Sequence, residues 1–322
     1  MVSHGREVMW FGQPAKVGAA TFDELRSRLP CFTRQPFGPE GCENGYLLSI
    51  VREPVEDDDR RIPVAVVSPQ YELIQHHEVL DWLAEALCVV GQKAGSLKGT
   101  LILSAYGERM HLRLRLPEYD FDPGDGHPLS LVVHATNSVD KSTALEVSLG
   151  WWRQVCSNGM KVQVNGCKAR QVHLMGRKRA AGIAEMLKSQ MDEIAPEHRL
   201  YTQWLSTPVT RKCVEEWADT TLARAWGPHA AARLCHIVRT GWDGVIEKAF
   251  EKALPHERRV TSEWQVPGTF APAKNAYHVS QVLSWLASHR GTLQEQLERT
   301  AQVHRLMSSL PGNGPDCPHH RA

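Results

Sequence analysis

The chain has 322 residues, 42% of them hydrophobic and 23% charged, with a formal net charge of +1. Such a chain can bury a full core and is expected to form one large domain or two smaller ones. No apolar run approaches the roughly 18 residues a membrane span needs, and Met1 to Met9 shows no apolar core of signal-peptide type, so the expected location is the cytoplasm.

Residues 1–44 read as an irregular N-terminal arm with one short helix near Phe22 to Arg28, because Pro30, Pro36, Pro39 and Gly41 break anything longer. Tyr46 to Val51 reads as a strand. Glu53 to Arg61 is a charged loop whose Glu56-Asp57-Asp58-Asp59 run lacks the spaced ligands of a metal loop. Ile62 to Val67 is a second strand. A helix then runs from about His76 to Val89, with Leu73, His76, Leu80, Leu83 and Leu87 on one face, and ends at Gly91.

The next block is β-rich. Thr100 to Ala105 and Arg109 to Leu116 flank a tight connection at Tyr106-Gly107-Glu108. Pro123 to Gly126 is a wide turn. Leu129 to Thr136, Thr143 to Gly150 and Lys161 to Val164 complete a meander, antiparallel because the links are short. From Arg177 onward the pattern is helical. Ala180 to Ile194 forms an apolar stripe, and Arg211 to Trp226, Ala230 to Thr240 and Gly244 to Leu254 are three further helices. A long helical region, Asn275 to Met307, is interrupted near Gly291.

The expected fold class is therefore α+β, with a mainly antiparallel sheet in the N-terminal and middle parts and a helical C-terminal part. Its expected divisions are an arm (1–44), a β-rich core with one helix (45–175), a helical region (176–308) and a disordered tail (309–322). The core is expected to be one sheet over residues 46–175 with the 76–89 helix packed on it.

Charge is unevenly placed. Residues 1–90 carry 8 basic and 14 acidic groups, net −6, and residues 91–190 carry 14 and 8, net +6. Within the second block, Arg153 to Lys188 holds eight basic residues (Arg153, Lys161, Lys168, Arg170, Arg177, Lys178, Arg179 and Lys188) and the single acid Glu185, net +7. A patch of that sign favours a polyanion, and nucleic acid is the commonest soluble one. Upstream, Arg109 to Leu116 alternates strictly. One face buries Met110, Leu112, Leu114 and Leu116, and the other presents Arg109, His111, Arg113 and Arg115 to solvent or a ligand. The plainer reading of both features is a solvated sheet face and a soluble helix start.

Thr136 to Thr143 is a polar link between strands. Asn, Ser and Asp form such turns by bonding local backbone. The functional alternative is that Asn137, Ser138 and Lys141 grip phosphate oxygens. Trp151-Trp152-Arg153 invites base stacking, although at least one Trp packs in the core. Gly91 to Gly99 is glycine-rich and basic but lacks the Gly-Lys-Ser/Thr order of a phosphate loop, which leaves Lys93 and Lys98 as optional phosphate contacts.

Eight cysteines include no Cys-x-x-Cys pair and are expected as reduced thiols. Cys156, with His134 or His173 as a base, is expected to be inert packing. The sixteen histidines form no His-Glu-x-x-His helix, and His76-His77-Glu78 is only half of one. Cys317-Pro318-His319-His320 is read as a disordered end. No cofactor or resident metal is expected.

Several of these segments together look familiar. Val67-Ser68-Pro69-Gln70-Tyr71-Glu72-Leu73-Ile74-Gln75, Ala94 to Gly99, Thr136 to Thr143, and Arg153-Gln154-Val155-Cys156-Ser157-Asn158-Gly159 resemble the bacterial family catalogued as domain of unknown function 932, the phage/plasmid-like proteins. Gly268-Thr269-Phe270 with Asn275-Ala276 is a further echo. There the family usually has an aromatic residue before Asn-Ala, whereas this chain has Ala273-Lys274. The resemblance implies a mobile-element setting and supplies no activity.

The function expected from sequence is a non-enzymatic nucleic-acid-binding protein of a mobile element, binding or annealing single strands, single-stranded DNA in particular. The residues expected to contact nucleic acid are Lys98, Arg109, Arg113, Arg115, Asn137, Ser138, Lys141, Arg153, Lys161, Lys168 and Arg170. Self-assembly into an oligomer would fit. One rival is an anti-defence or host-interaction factor that binds a host protein through the acidic first third and some of the ten Trp residues. Another is an enzyme with dispersed catalytic residues.

Overall fold

The computed structural model describes residues 9–56, 58–122, 128–153, 160–163, 169–171, 179–192, 194–266, 269–289 and 291–312. The side chains of 153, 160–163, 169–171, 179–180 and 194–198 are outside that description. So are Cys156, Lys168, His173, Arg177, Lys178, Gly268, the turn at 123–126 and the chain beyond 312.

The chain is α+β, with an antiparallel sheet in its N-terminal and middle regions and helices in its C-terminal part. The strands are β1 (Met9–Trp10), β2 (Gln13–Thr21), β3 (Phe32–Phe37), β4 (Asn44–Arg52), β5 (Ile62–Val67), β6 (Lys98–Ser104), β7 (Arg109–Phe121), β8 (Leu129–Ser138), β9 (Leu145–Arg153), β10 (Met160–Gln163), β11 (Ala169–Gln171), β12 (Trp242–Asp243) and β13 (Trp264–Gln265). The helices are α1 (Phe22–Ser27), α2 (His76–Val89), α3 (Arg179–Asp192), α4 (Ile194–Ser206), α5 (Arg211–Trp217), α6 (Ala223–Trp226), α7 (Pro228–Thr240), α8 (Ala276–Ser288) and α9 (Leu293–Ser308).

Two compact units emerge. The first comprises Met1–Glu118, Leu131–Gly150 and Gly166–Glu193, and the second Tyr119–Ser130, Trp151–Asn165 and Ile194–Ala322. The large sheet has eight strands in the order β1-β2-β6-β7-β8-β9-β10, with β11 paired to β9. Strands β3, β4 and β5 form a separate three-stranded sheet. The single sheet expected over residues 46–175 is thus two.

Residues 9–44 are not an irregular arm. Strand β2 pairs along its length with β6, from Ala15 opposite Ser104 to Thr21 opposite Lys98. Its Ala- and Gly-rich sequence carries little β signal, so pairing with β6 supplies what side-chain propensity does not. The β1–β2 link places Phe11 and Gly12 at φ 48° and 77°, the paired positive values that suit a two-residue hairpin turn. Thr21 then starts α1 with a capping box: its hydroxyl accepts from Glu24 N, while the Glu24 carboxylate accepts from Thr21 N at 2.8 Å.

In the first unit, Val79, Leu80, Leu83, Ala86 and Leu87 of α2 are buried, as are Met110, Leu112, Leu114 and Leu116 of β7. Each Val, Leu or Met among them is worth about 1.5–3 kcal/mol of transfer free energy. Helix α2 packs on α3. In the second unit every residue of α8 from Ala276 to Ala287 is buried, beside Trp151, Tyr201 and Trp204. Asn275 starts α8 by accepting from His278 N at 2.9 Å.

The segment Gly244 to Leu254 is not the expected helix. Its backbone groups turn instead to residues 259–261, with Glu247 N bonded to Arg259 O and Thr261 N to Val245 O, both at 2.9 Å. Gly244 approaches this partner so closely that an added Cβ would lie 1.9 Å from Thr261 O. The long C-terminal helical region does break beside Gly291, where Thr292 caps α9.

Candidate nucleic-acid interface

The alternation of β7 survives folding, but its second face does not look outward. His111 is fully buried, and Arg109, Arg113 and Arg115 are half-buried. Strand β7 lies inside the sheet between β6 and β8, and interior strands of a wide sheet can be covered on both faces. The arginine stems therefore lie among neighbours, as long basic side chains do when their apolar carbons are buried.

A defined polar chain results. Thr100 lies opposite Arg113, and Ile102 opposite His111. The His111 ring stacks on His134, with centroids 5.6 Å apart and planes 25° apart. Arg113 Nε–H donates to His111 Nε2 at 3.0 Å. That nitrogen must then carry a lone pair, which puts the ring proton on Nδ1, 3.3 Å from Thr136 Oγ1. Burial pushes the Arg113 guanidinium down to about 10, so it is still charged at neutral pH. Arg109 is neutralised by Asp140 at 2.8 Å and lies over the Phe11 ring, 4.4 Å from its centroid. Arg113 and Arg115 stand roughly 7 Å apart along the strand, and Arg109 lies about 13 Å before Arg113.

The link from β8 to β9 is built differently from a phosphate grip. Asn137 and Ser138 are completely buried. Asn137 Nδ2 donates to Ile74 O at 3.1 Å and to His76 Nδ1 at 3.0 Å, while His76 Nε2 lies 2.9 Å from Gly107 O. Gly107 offers only an acceptor, so His76 Nε2 bears the proton and Nδ1 accepts from Asn137. Ser138 Oγ donates to Thr143 O and accepts from Thr143 N, which closes the loop on itself. Two of the three residues expected to hold phosphate are thus spent inside the fold. Lys141 is exposed, with φ 65°, and its ammonium donates to Val66 O at 2.8 Å.

Three further groups converge here without having been singled out for it. The Tyr71 hydroxyl donates to Val139 O at 3.2 Å. Gln75 accepts from Phe32 N and donates to Phe32 O, standing in for a neighbouring strand at the start of β3. Glu78 reaches back to Gln75 N at 2.7 Å. The Gln75-to-Glu78 spacing is a helix-start signal that sequence could have supplied. The pairing of Gln75 with residue 32 is not readable from sequence.

Lys98 is exposed at the start of β6. Arg153, Lys161 and Arg170 lie on β9, β10 and β11, with side chains outside the described residues, as is Lys168. Lys188 and Glu185 are exposed on α3. Among the described residues no group of three or more His, Cys, Asp or Glu side chains is placed to hold a metal ion, and no helix is long and apolar enough to cross a membrane.

A family model described as "Domain of unknown function (DUF932)" matches residues 63–301, about three quarters of the chain. No curated protein and no solved structure matches. The matched span takes in α2, the end of β8 with its buried Asn137, and Asn275 at the start of α8.

Proposed function

The chain belongs to the domain of unknown function 932 family, and from that premise we propose that it is a non-enzymatic nucleic-acid-binding protein of a mobile genetic element, acting on single strands with DNA favoured. The observation that carries this reading is the segregation of charge. A stretch from Arg153 to Lys188 has net +7 in a chain of net +1. Arginines at alternate positions of β7 and the exposed Lys98 support it. Arg109 is already paired and Arg113 is tied to His111, so direct phosphate contacts are assigned first to Lys98, Lys161, Lys168, Arg170 and Lys188.

The test is an anisotropy titration with a labelled oligothymidylate over a salt series. Tight binding at low salt should weaken with a log–log slope of about −0.7 per neutralised phosphate. Lys161→Ser with Lys168→Ser and Arg170→Ser should flatten that slope by roughly 2 if each side chain meets one phosphate. A wild-type protein that binds neither DNA nor RNA single strands at low salt would sink the proposal.

One surface favours a second reading, a host-protein-binding factor. The outer part of the β3–β4 hairpin exposes Phe37 and Tyr46, the latter at 85%, within the acidic first third of the chain. Exposed aromatic side chains of this kind suit protein interfaces. Pull-down with Tyr46→Ser as the comparison separates the two readings.

A further inference from the structure

Two acceptors in the first unit are buried with nothing to accept from. Asn137 Oδ1 belongs to a side chain with no solvent exposure and has no hydrogen-bond partner among the described residues. Glu108 is 4% exposed, its Oε2 has no partner, and its carboxylate forms no ion pair among the described residues. Asp140, the acid that neutralises neighbouring Arg109, is engaged on the other face of β7.

The two acceptors are neighbours by register. Val139 N bonds to Glu108 O at 2.9 Å, which sets Glu108 opposite Val139. Glu108 has the same parity as Met110 and Leu112. Asn137 faces His76 and Ile74, away from the Thr136 and His134 side chains that meet His111. Glu108 and Asn137 therefore stand diagonally across one face of the β7–β8 pair, at a separation long side chains bridge. His76 occupies the amide nitrogen of Asn137, and that fixes its oxygen as the atom left over.

Buried polar atoms are nearly always satisfied, and a pair of orphaned acceptors on one face calls for an occupant. Water could donate to both oxygens but would leave the buried carboxylate charge uncompensated, which is the costlier defect. We propose that Glu108 and Asn137 Oδ1 hold a single hard cation of the Na+, K+, Mg2+ or Ca2+ class, completed by backbone carbonyls or water. All-oxygen ligation by a carboxylate and an amide suits such ions and no soft metal. The ion ties the start of β7 to the end of β8 and, through Asn137, to the start of α2.

The test is thermal unfolding of the full chain, metal-stripped, with each of the four chloride salts against choline chloride at equal ionic strength. One ion should raise the midpoint with saturation. At a hundredfold excess over its dissociation constant the shift should be about 4 °C if the chain unfolds as one, and about 8 °C if the first unit unfolds by itself. Glu108→Gln should abolish the shift, because its amide can donate to Asn137 Oδ1 without any ion. If no salt moves the wild type beyond choline, the proposal is overturned and water is the occupant. An equal shift in wild type and Glu108→Gln also overturns it. The wild-type series decides the matter even if the variant fails to fold.

Discussion

The two faces of β7 in the first unit are both withdrawn from solvent and have opposite chemistry. One holds Met110, Leu112, Leu114 and Leu116, each 0–1% exposed. The other holds Arg109, His111, Arg113 and Arg115, from fully to half-buried. The apolar face is stabilised by transfer from water, which needs area and tolerates detail. The polar face is stable only while each donor finds its acceptor, which needs a particular neighbour at a particular place. A strand can therefore look half-exposed in sequence and be enclosed in the fold, provided its polar side is wired to other residues.

Four substitutions would break or sharpen that contrast. Leu112→Ala removes a wholly buried side chain from the apolar face and should cost about 2–5 kcal/mol, read from the urea unfolding midpoint. Asn137→Ala loses the bonds to Ile74 O and His76 together with buried volume, so about 2–4 kcal/mol is expected. Amide hydrogen exchange should localise that loss to the start of α2 rather than spread it evenly.

On the polar face, Arg113→Met keeps the stem and deletes the donor to His111. Loss of this charge-assisted bond should cost about 1–3 kcal/mol. If the variant were as stable as wild type by calorimetry, the polar face would be held by packing and the contrast would collapse. Lys141→Ala is the smallest change, below about 1 kcal/mol, since it trims an exposed side chain with one bond to Val66 O. A matched pair of chemical denaturation curves is enough to check it.

Much of the element order was legible in the chain itself. Strand β5 and helix α2 have the boundaries that their hydrophobic spacing announces, and β6 to β9 fall within a few residues of theirs. The break beside Gly291 was equally visible, because glycine marks helix ends locally; the Thr292–Glu295 capping box beside it was not singled out. Strand β2 was not legible. QPAKVGAAT has small residues and no alternation, and only its partner β6 makes it a strand. Gly244 to Leu254 failed in the opposite sense, since helical spacing there was outweighed by a backbone ladder to residues 259–261.

Of the residues proposed from sequence to meet a ligand, Lys98, Lys141 and the three arginines of β7 retain some solvent access, while Asn137 and Ser138 do not. Polar residues between two strands look alike whether they turn toward solvent or toward a helix that begins 60 residues earlier. Asn137 reaches His76, and nothing near position 137 announces that distance.

Sequence alone determined the α+β class, the family, the two-residue alternation of β7 and the concentration of positive charge between Arg153 and Lys188. These depend on local spacing and composition, which a chain carries before it folds. Only tertiary structure decided that β3–β5 form their own sheet, that the basic side of β7 is half-buried, and that Glu108 and Asn137 share one buried face. Each of those is set by which distant segment arrives as a neighbour, and burial and hydrogen-bond partnership exist only once it has.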